Sequence, residues 1–341
     1  MLNKGKEKKT ALVLGGGGAR GAYEAGVWMA LEDMGIKIDI VTGTSIGAVN
    51  GAMVAQGDLD RTVRLWKEIE TGMIIELPEE AHYIEYAKDF IKNKGADTSG
   101  MKQLFEECIS EERIRKSPVD FGVVVVEFPS MKPQFVFKED MEEGKLIDYI
   151  MASASLFPAL RSHTINDKEY IDGGYADVLP IAMALEKGAT EVIAVKLNGL
   201  GILDHDTLEN TENLTLIESK WNLGLSLNFD TDKARKNIKL GYLDAMKKYG
   251  FFDGEYFTFQ KGTFSMEDML GAEACGRVFG MDPTVIYKKG LFLDNLRDII
   301  ALREKEFHKK GILNFIKNKI ALKLFDDHIL AADFIEKYNI I

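Results

Sequence analysis

The chain has 341 residues, 46% of them hydrophobic, and carries 54 acidic against 43 basic side chains, a formal net charge of −11. That is enough apolar sequence to bury a large core, as one sizeable domain plus an appendage. The acidic balance argues against nucleic-acid binding and against strong non-specific attachment to anionic membranes, so any membrane contact has to be local. The two cysteines, Cys108 and Cys275, make no disulfide framework or metal-binding spacing, which fits a reducing cytoplasm and residence in the core.

Taken in order, residues 1–9 read as a basic tail, and the apolar run after it stops at Leu14, too short for a signal-peptide core or a membrane span. Leu12-Val13-Leu14 is a strand that leads into Gly15-Gly16-Gly17-Gly18-Ala19-Arg20-Gly21 and then into a helix carrying Val27, Leu31 and Met34, closed by Gly35. A second strand ends in Gly43-Thr44-Ser45-Ile46-Gly47, followed by a helix over 48–56 with Gly57 at its end. Leu59, Val63 and Trp66 mark another amphipathic helix, and Thr98 is placed to cap one running to Cys108. Residues 121–128 and 134–138 read as a hairpin around Pro129 and Pro133. Tyr170-Ile171-Asp172-Gly173-Gly174 is a short β-type run, Pro180 starts a helix that Gly188 ends, and 191–197 is a buried strand. Beyond Asn198 the segments become mainly helical, with a loop at Asp204-His205-Asp206. Ala234, Ile238, Gly241 and Ala245 form a small-residue stripe suited to close helix packing.

Ser45 is the first residue to explain. A serine on a strand-to-helix turn flanked by two glycines projects its hydroxyl at the end of a sheet, and the helix starting behind it aims free N–H groups at developing negative charge. The glycines before Arg20 leave N–H groups unshielded, which suits stabilisation of the oxyanion formed when a serine attacks a carbonyl. Asp172, beside two permissive glycines, is placed to orient and deprotonate the serine. A competing chemistry reads Gly16-x-Gly18-x-x-Gly21 as a dinucleotide fingerprint with Asp39 as the ribose-binding acid, which makes the chain an oxidoreductase. Asp39, however, precedes Ile40-Val41-Thr42 where a ribose acid should follow a strand. Among His82, His163, His205, His308 and His328, His205 follows serine and aspartate in the order of a hydrolase triad, and no His/Glu spacing resembles a zinc site.

Together, in this order, GGGGARG, GTSIGA and IDGG resemble the patatin-like phospholipases over residues 10–197. Ala152-Ser153-Ala154-Ser155-Leu156-Phe157-Pro158 is similar to the family's segment ahead of the aspartate. Where the family commonly has asparagine before Leu-Pro, this chain has Val178. The resemblance implies a three-layer α/β/α patatin-like domain over 10–198 with a mainly helical C-terminal elaboration over 199–341. It implies Ser45 as nucleophile, Asp172 as general base and the backbone of Gly16, Gly17 and Gly18 as oxyanion hole. Arg20, Gly21, Gly43, Gly47, Gly173 and Gly174 support these motifs, and no metal or cofactor is required. The implied activity is hydrolysis of acyl esters of phospholipids, lysophospholipids or related lipids through an acyl-serine intermediate. An acyltransferase would share every site residue and differ in the acceptor, and a non-catalytic lipid-binding protein is the remaining alternative. Residues 309–325, with five lysines and Ile312, Ile316, Ile320 and Leu324 every fourth position, form a candidate surface helix at a membrane interface.

Overall fold

The computed structural model describes residues 8–74, 95–306 and 325–340. The first seven residues of the basic tail, His82, His308 and the segment 309–325 apart from its last position lie outside the described residues. The chain divides into two compact units, Met1–Ala245 and Met246–Ile341.

The first unit is built on an eight-stranded sheet in the order β5-β6-β3-β2-β1-β7-β8, with β4 paired to β3. Its strands are β1 Thr10–Leu14, β2 Ile40–Gly43, β3 Asp120–Phe128, β4 Lys132–Phe137, β5 His163–Ile165, β6 Lys168–Asp172, β7 Glu191–Lys196 and β8 Leu214–Glu218. The parallel block β3-β2-β1-β7-β8 is sandwiched between helices, and the register shows how. Residues paired across strands point to the same side, and neighbours along a strand to opposite sides. Ala11 and Ile40 are paired and share a buried cluster with Ile181 and Ala184 of a helix, so that helix lies on their face. Leu12, Val41 and Phe121 are aligned on the opposite face. There the backbone of Gly51, in the helix Ile46–Ala55, comes into contact with Val41 and Phe121. Both faces are covered, which is why β3 reads as an unbroken run of valines, Val123 to Val126, all buried.

The helices of this unit are α1 Ala22–Asp33, α2 Ile46–Ala55, α3 Leu59–Glu68, α4 Thr71–Ile74, α5 Ser99–Cys108, α6 Glu111–Lys116, α7 Leu146–Ser153, α8 Ile181–Glu186, α9 His205–Asn210 and most of α10 Thr231–Lys248. Gly35, Gly57 and Gly188 end their helices at positive φ, as expected. Thr98 precedes α5 without capping it through its side chain; Asp97 Oδ1 instead accepts the Ser99 N–H at 2.8 Å.

The first compact unit runs on past Asn198 to Ala245. Two elements hold the extra stretch: β8 extends the sheet in parallel register with β7, and α10 crosses α1 at backbone contact. A Cβ on Gly26 would stand 1.9 Å from the Ile238 carbonyl oxygen, and one on Gly241 would stand 2.0 Å from that of Tyr23. The small-residue stripe therefore serves this crossing, with Ala234, Ile238 and Ala245 also buried.

The second unit has a three-stranded sheet, β9 Phe252–Asp253, β10 Thr258–Gln260 and β11 Ile286–Tyr287, and the helices α11 Met266–Phe279, α12 Lys289–Glu306 and α13 Phe325–Lys337. Its core is aromatic: Phe264 meets the rings of Phe259, Phe292 and Phe334 at 5.5–5.7 Å, mostly edge to face.

Candidate active site

The long strand β3 brings the serine and the aspartate together. Its first half pairs with β2 in parallel, ending with Gly43 opposite Val123. Its second half pairs with β6 in antiparallel, ending with Asp172 opposite Val125. Val123 and Val125 both pair with β4 as well, so β2 and β6 must share the other edge of β3. They run towards each other along it, and their C-terminal ends meet within two residues, about 7 Å. Ser45 leaves one end and Asp172 the other.

At the end of β2 the chain turns directly into α2, and Ser45 takes φ 58°, ψ −125° as the residue capping that helix. A non-glycine residue there stores roughly 1–3 kcal/mol of strain, which surrounding contacts must hold. Flanking backbone packs too tightly for side chains: a Cβ on Gly43 would lie 2.1 Å from the Gly47 carbonyl oxygen, and one on Gly47 2.2 Å from that of Leu14. The Ser45 N–H donates to Ser153 Oγ at 3.0 Å. Two residues later in that segment, the Ser155 carbonyl accepts the Asp172 N–H at 2.9 Å. One short stretch, with Ser153 and Ser155 buried on either side of Ala154, thus grips both residues by their backbones.

The Asp172 carboxylate is 3% exposed. It accepts a hydrogen bond from the Gly174 N–H at 2.7 Å, and the Ser45 hydroxyl lies close enough to favour its ionised form. Burial raises its pKa to about 6, with the Ser45 hydroxyl and the Gly174 N–H opposing the rise.

The glycine loop borders the same space. The Gly16 N–H donates to the Val178 carbonyl at 2.9 Å and the Ala19 N–H to that of Ser226 at 2.7 Å. Gly16 therefore does not offer its N–H to a substrate, because the backbone of Val178 already takes it. The N–H groups of Gly17 and Gly18 have no acceptor among the described residues. Gly18 has φ 57°, and a Cβ there would fall 2.0 Å from the Ser226 carbonyl oxygen, so no other residue fits. Arg20 fastens the loop from outside: its Nε donates to the Gly224 carbonyl at 2.9 Å and its Nη1 to those of Leu197 and Asn198. Val178, in place of asparagine, also donates its N–H to the Ile202 carbonyl at 2.7 Å, and its side chain packs against Gly16.

Ser45, Asp172 and Gly16 to Gly18 all line one cavity enclosing about 1070 Å³ of empty space including its mouth. The rest of the wall is largely apolar, with Leu65 and Trp66 from α3, Leu104 and Phe105 from α5, and Leu227 and Phe229 from the loop before α10. A polar network runs from the wall into the interior: Asn50, which lines the cavity, donates to Glu24 Oε2 at 2.8 Å and to the Gly21 carbonyl at 3.0 Å, and accepts from Trp66 Nε1 at 3.0 Å. Burial pushes the Glu24 carboxyl well above the ordinary carboxylate range. Asp177, also buried, has its pKa raised to about 6, mainly by desolvation.

Other sequence candidates fall elsewhere. Asp39 immediately precedes β2, at the end opposite the glycine loop, accepting the Thr10 N–H and pairing with Lys37. The dinucleotide reading therefore fails on position. His205 is exposed at the start of α9 and does not line the cavity, and His163 pairs with Asp148 at 2.9 Å. Ser153, Asn50, Glu24 and Asp177 were not singled out from sequence. Asn50 alone had a signal, as the one strongly polar residue of the apolar helix IGAVNGAMVA.

Residues 12–185 match the model of the family described as Patatin-like phospholipase. The chain is 27% identical over 328 residues to "Lysophospholipase NTE1" of Chaetomium globosum, covering 89% of this chain and 20% of that protein. It is 28% identical over 223 residues to "Patatin-like phospholipase domain-containing protein 7" of Rattus norvegicus, covering 62% of this chain and 15% of that one. The chain thus spans a fifth or less of the length of these two relatives. Among solved structures, VipD from Legionella pneumophila aligns with TM-score 0.45 and 14% identity, over 98% of this chain and 86% of that one. With the family match spanning half its length and containing the glycine loop, the serine elbow and the aspartate, the chain belongs to the patatin-like phospholipase family.

Proposed function

We propose that the protein hydrolyses acyl esters of lipids through an acyl-serine intermediate, with Ser45 as nucleophile and Asp172 as general base. The observation that carries this reading is the placing of Ser45 beside the buried Asp172 carboxylate, which its hydroxyl influences, on the wall of a large, mainly apolar cavity. Ser45 Oγ attacks the ester carbonyl carbon while its proton passes to Asp172. The carbonyl π electrons become an oxyanion facing the N–H groups of Gly17 and Gly18, each such donor contributing roughly 3 kcal/mol to the barrier reduction. As the tetrahedral centre collapses, the C–O bond to the alcohol breaks and Asp172 returns the proton to the leaving oxygen. Water then repeats the cycle on the acyl-serine, its proton passing through Asp172 to Ser45 Oγ.

A carboxylate with a pKa near 6 is a stronger base than an ordinary aspartate and still ionised at neutral pH, which supports a two-residue machine. The largely apolar wall suits an acyl chain, and the names of the relatives agree with a phospholipid or lysophospholipid substrate. Fluorophosphonate labelling tests the reading: Ser45 is expected to be the single labelled serine, with Ser45→Ala losing both label and esterase turnover at unchanged thermal midpoint. Label on another serine, or none in folded protein, overturns it.

A further inference from the structure

No helix among the described residues is long and apolar enough to cross a membrane, and a cavity that takes lipid esters draws them from a lipid surface. Two loops beside the cavity are suited to that encounter. In a chain that is 28% charged, 198–203 and 221–228 hold no charged residue. Both are fastened to the glycine loop: Arg20 bonds the carbonyls of Leu197, Asn198 and Gly224, and the Ser226 carbonyl takes the Ala19 N–H. Each raises a leucine into solvent, Leu200 at 77% exposed and Leu225 at 73%. Leu200 itself lines the cavity, as do Ser226 and Leu227 next to Leu225.

Exposed leucines on well-anchored loops have no role in the core, and grouped apolar exposure marks an interaction site. Here the apolar surface continues into the cavity wall, so an acyl chain could pass from lipid to cavity without crossing water. We propose that Leu200 and Leu225 form an apolar rim that inserts into the surface of a zwitterionic lipid bilayer and docks the cavity mouth on it. The lack of charge on both loops, within a protein of net charge −11, selects neutral over anionic lipid and makes the contact insensitive to salt. This inference rests on the lipid-hydrolase reading.

The test uses flotation of the full chain with phosphatidylcholine vesicles, alongside hydrolysis of a water-soluble short-chain ester. Leu225 does not line the cavity. Leu225→Asp is expected to weaken vesicle binding about tenfold or more, corresponding to one leucine kept out of the apolar layer, while soluble-ester turnover stays within about twofold. Adding Leu200→Asp should abolish flotation, and Leu225→Trp, an interface-seeking substitution, should retain or strengthen it. Unchanged flotation of Leu225→Asp, no flotation of the wild type, or binding that needs anionic lipid and disappears in salt overturns the rim. The hydrolase reading fails separately, on absent turnover of soluble and vesicle esters, and flotation of Ser45→Ala still decides the rim in that case.

Discussion

Ser45 and Asp172 each depart from the most comfortable state of an isolated residue, one in backbone conformation and one in solvation. For Asp172 the sign of the cost is fixed. Its folded pKa, about 6 against an ordinary value of 3.8, means that the unfolded chain releases the proton first. Stability is therefore intact below about pH 4, falls as pH rises from there to about 6, and stays reduced above it. Two units correspond to a cost of up to ~3 kcal/mol at neutral pH. Asp172→Asn is expected to lower turnover by orders of magnitude while raising unfolding free energy by up to that amount at pH 7 and by little at pH 4, measured by denaturant titration at both. In the wild type, kcat/KM should fall on the acid side with an apparent pKa near 6, as the base becomes protonated. A kcat/KM profile flat from pH 5 to pH 8 in a folded protein contradicts the role given to Asp172.

Between elements, the alignment along β3 makes the separation of serine and aspartate a matter of strand register. A slip of β6 by one residue would turn Asp172 to the other face of the sheet. Gly173 is the sensitive point, because a Cβ there would stand 2.2 Å from the Val124 carbonyl oxygen and push β6 off its partner. Gly173→Ala is expected to cut turnover about 100-fold, the scale of a roughly 1 Å misplacement, in a protein that still folds; wild-type turnover contradicts this account of the register. The sequence exposed the local pieces of this geometry, since glycine turns, helix ends and strand runs are written in neighbouring residues. It did not expose the bridge from Ser153 to Ser45, 108 positions apart, because a buried serine in an apolar stretch carries no periodic signal. It also did not show that Val178 withdraws the Gly16 N–H, since a backbone contact of that kind does not depend on which side chain is present. The reach of the first unit to Ala245 is hidden for a related reason: β8 and α10 are tied back by pairing and by a glycine crossing with α1, and neither alters local composition.

For the whole molecule, Glu24, Asp172 and Asp177 are buried acids whose pKa values are all raised. Asp97 and Asp148, with hydrogen-bond and cationic partners, are lowered and lose their contribution only below about pH 4. The thermal midpoint is therefore expected to be higher at pH 5 than at pH 7, as the raised acids become more costly across that interval. Glu24→Gln should flatten the difference in part, and calorimetry showing a midpoint that climbs from pH 5 to pH 7 contradicts the balance. At one border of the sheet, β4 pairs with β3 and with no other described strand, which leaves a row of backbone groups open. That strand carries the exposed Lys132 and Pro133 side by side. A proline has no N–H to offer, and a lysine repels its own copy in a second molecule. The border is thus a poor template for joining sheets between molecules, which gives an acidic protein with a greasy mouth one protection against forming fibres at the concentrations where its loops collide.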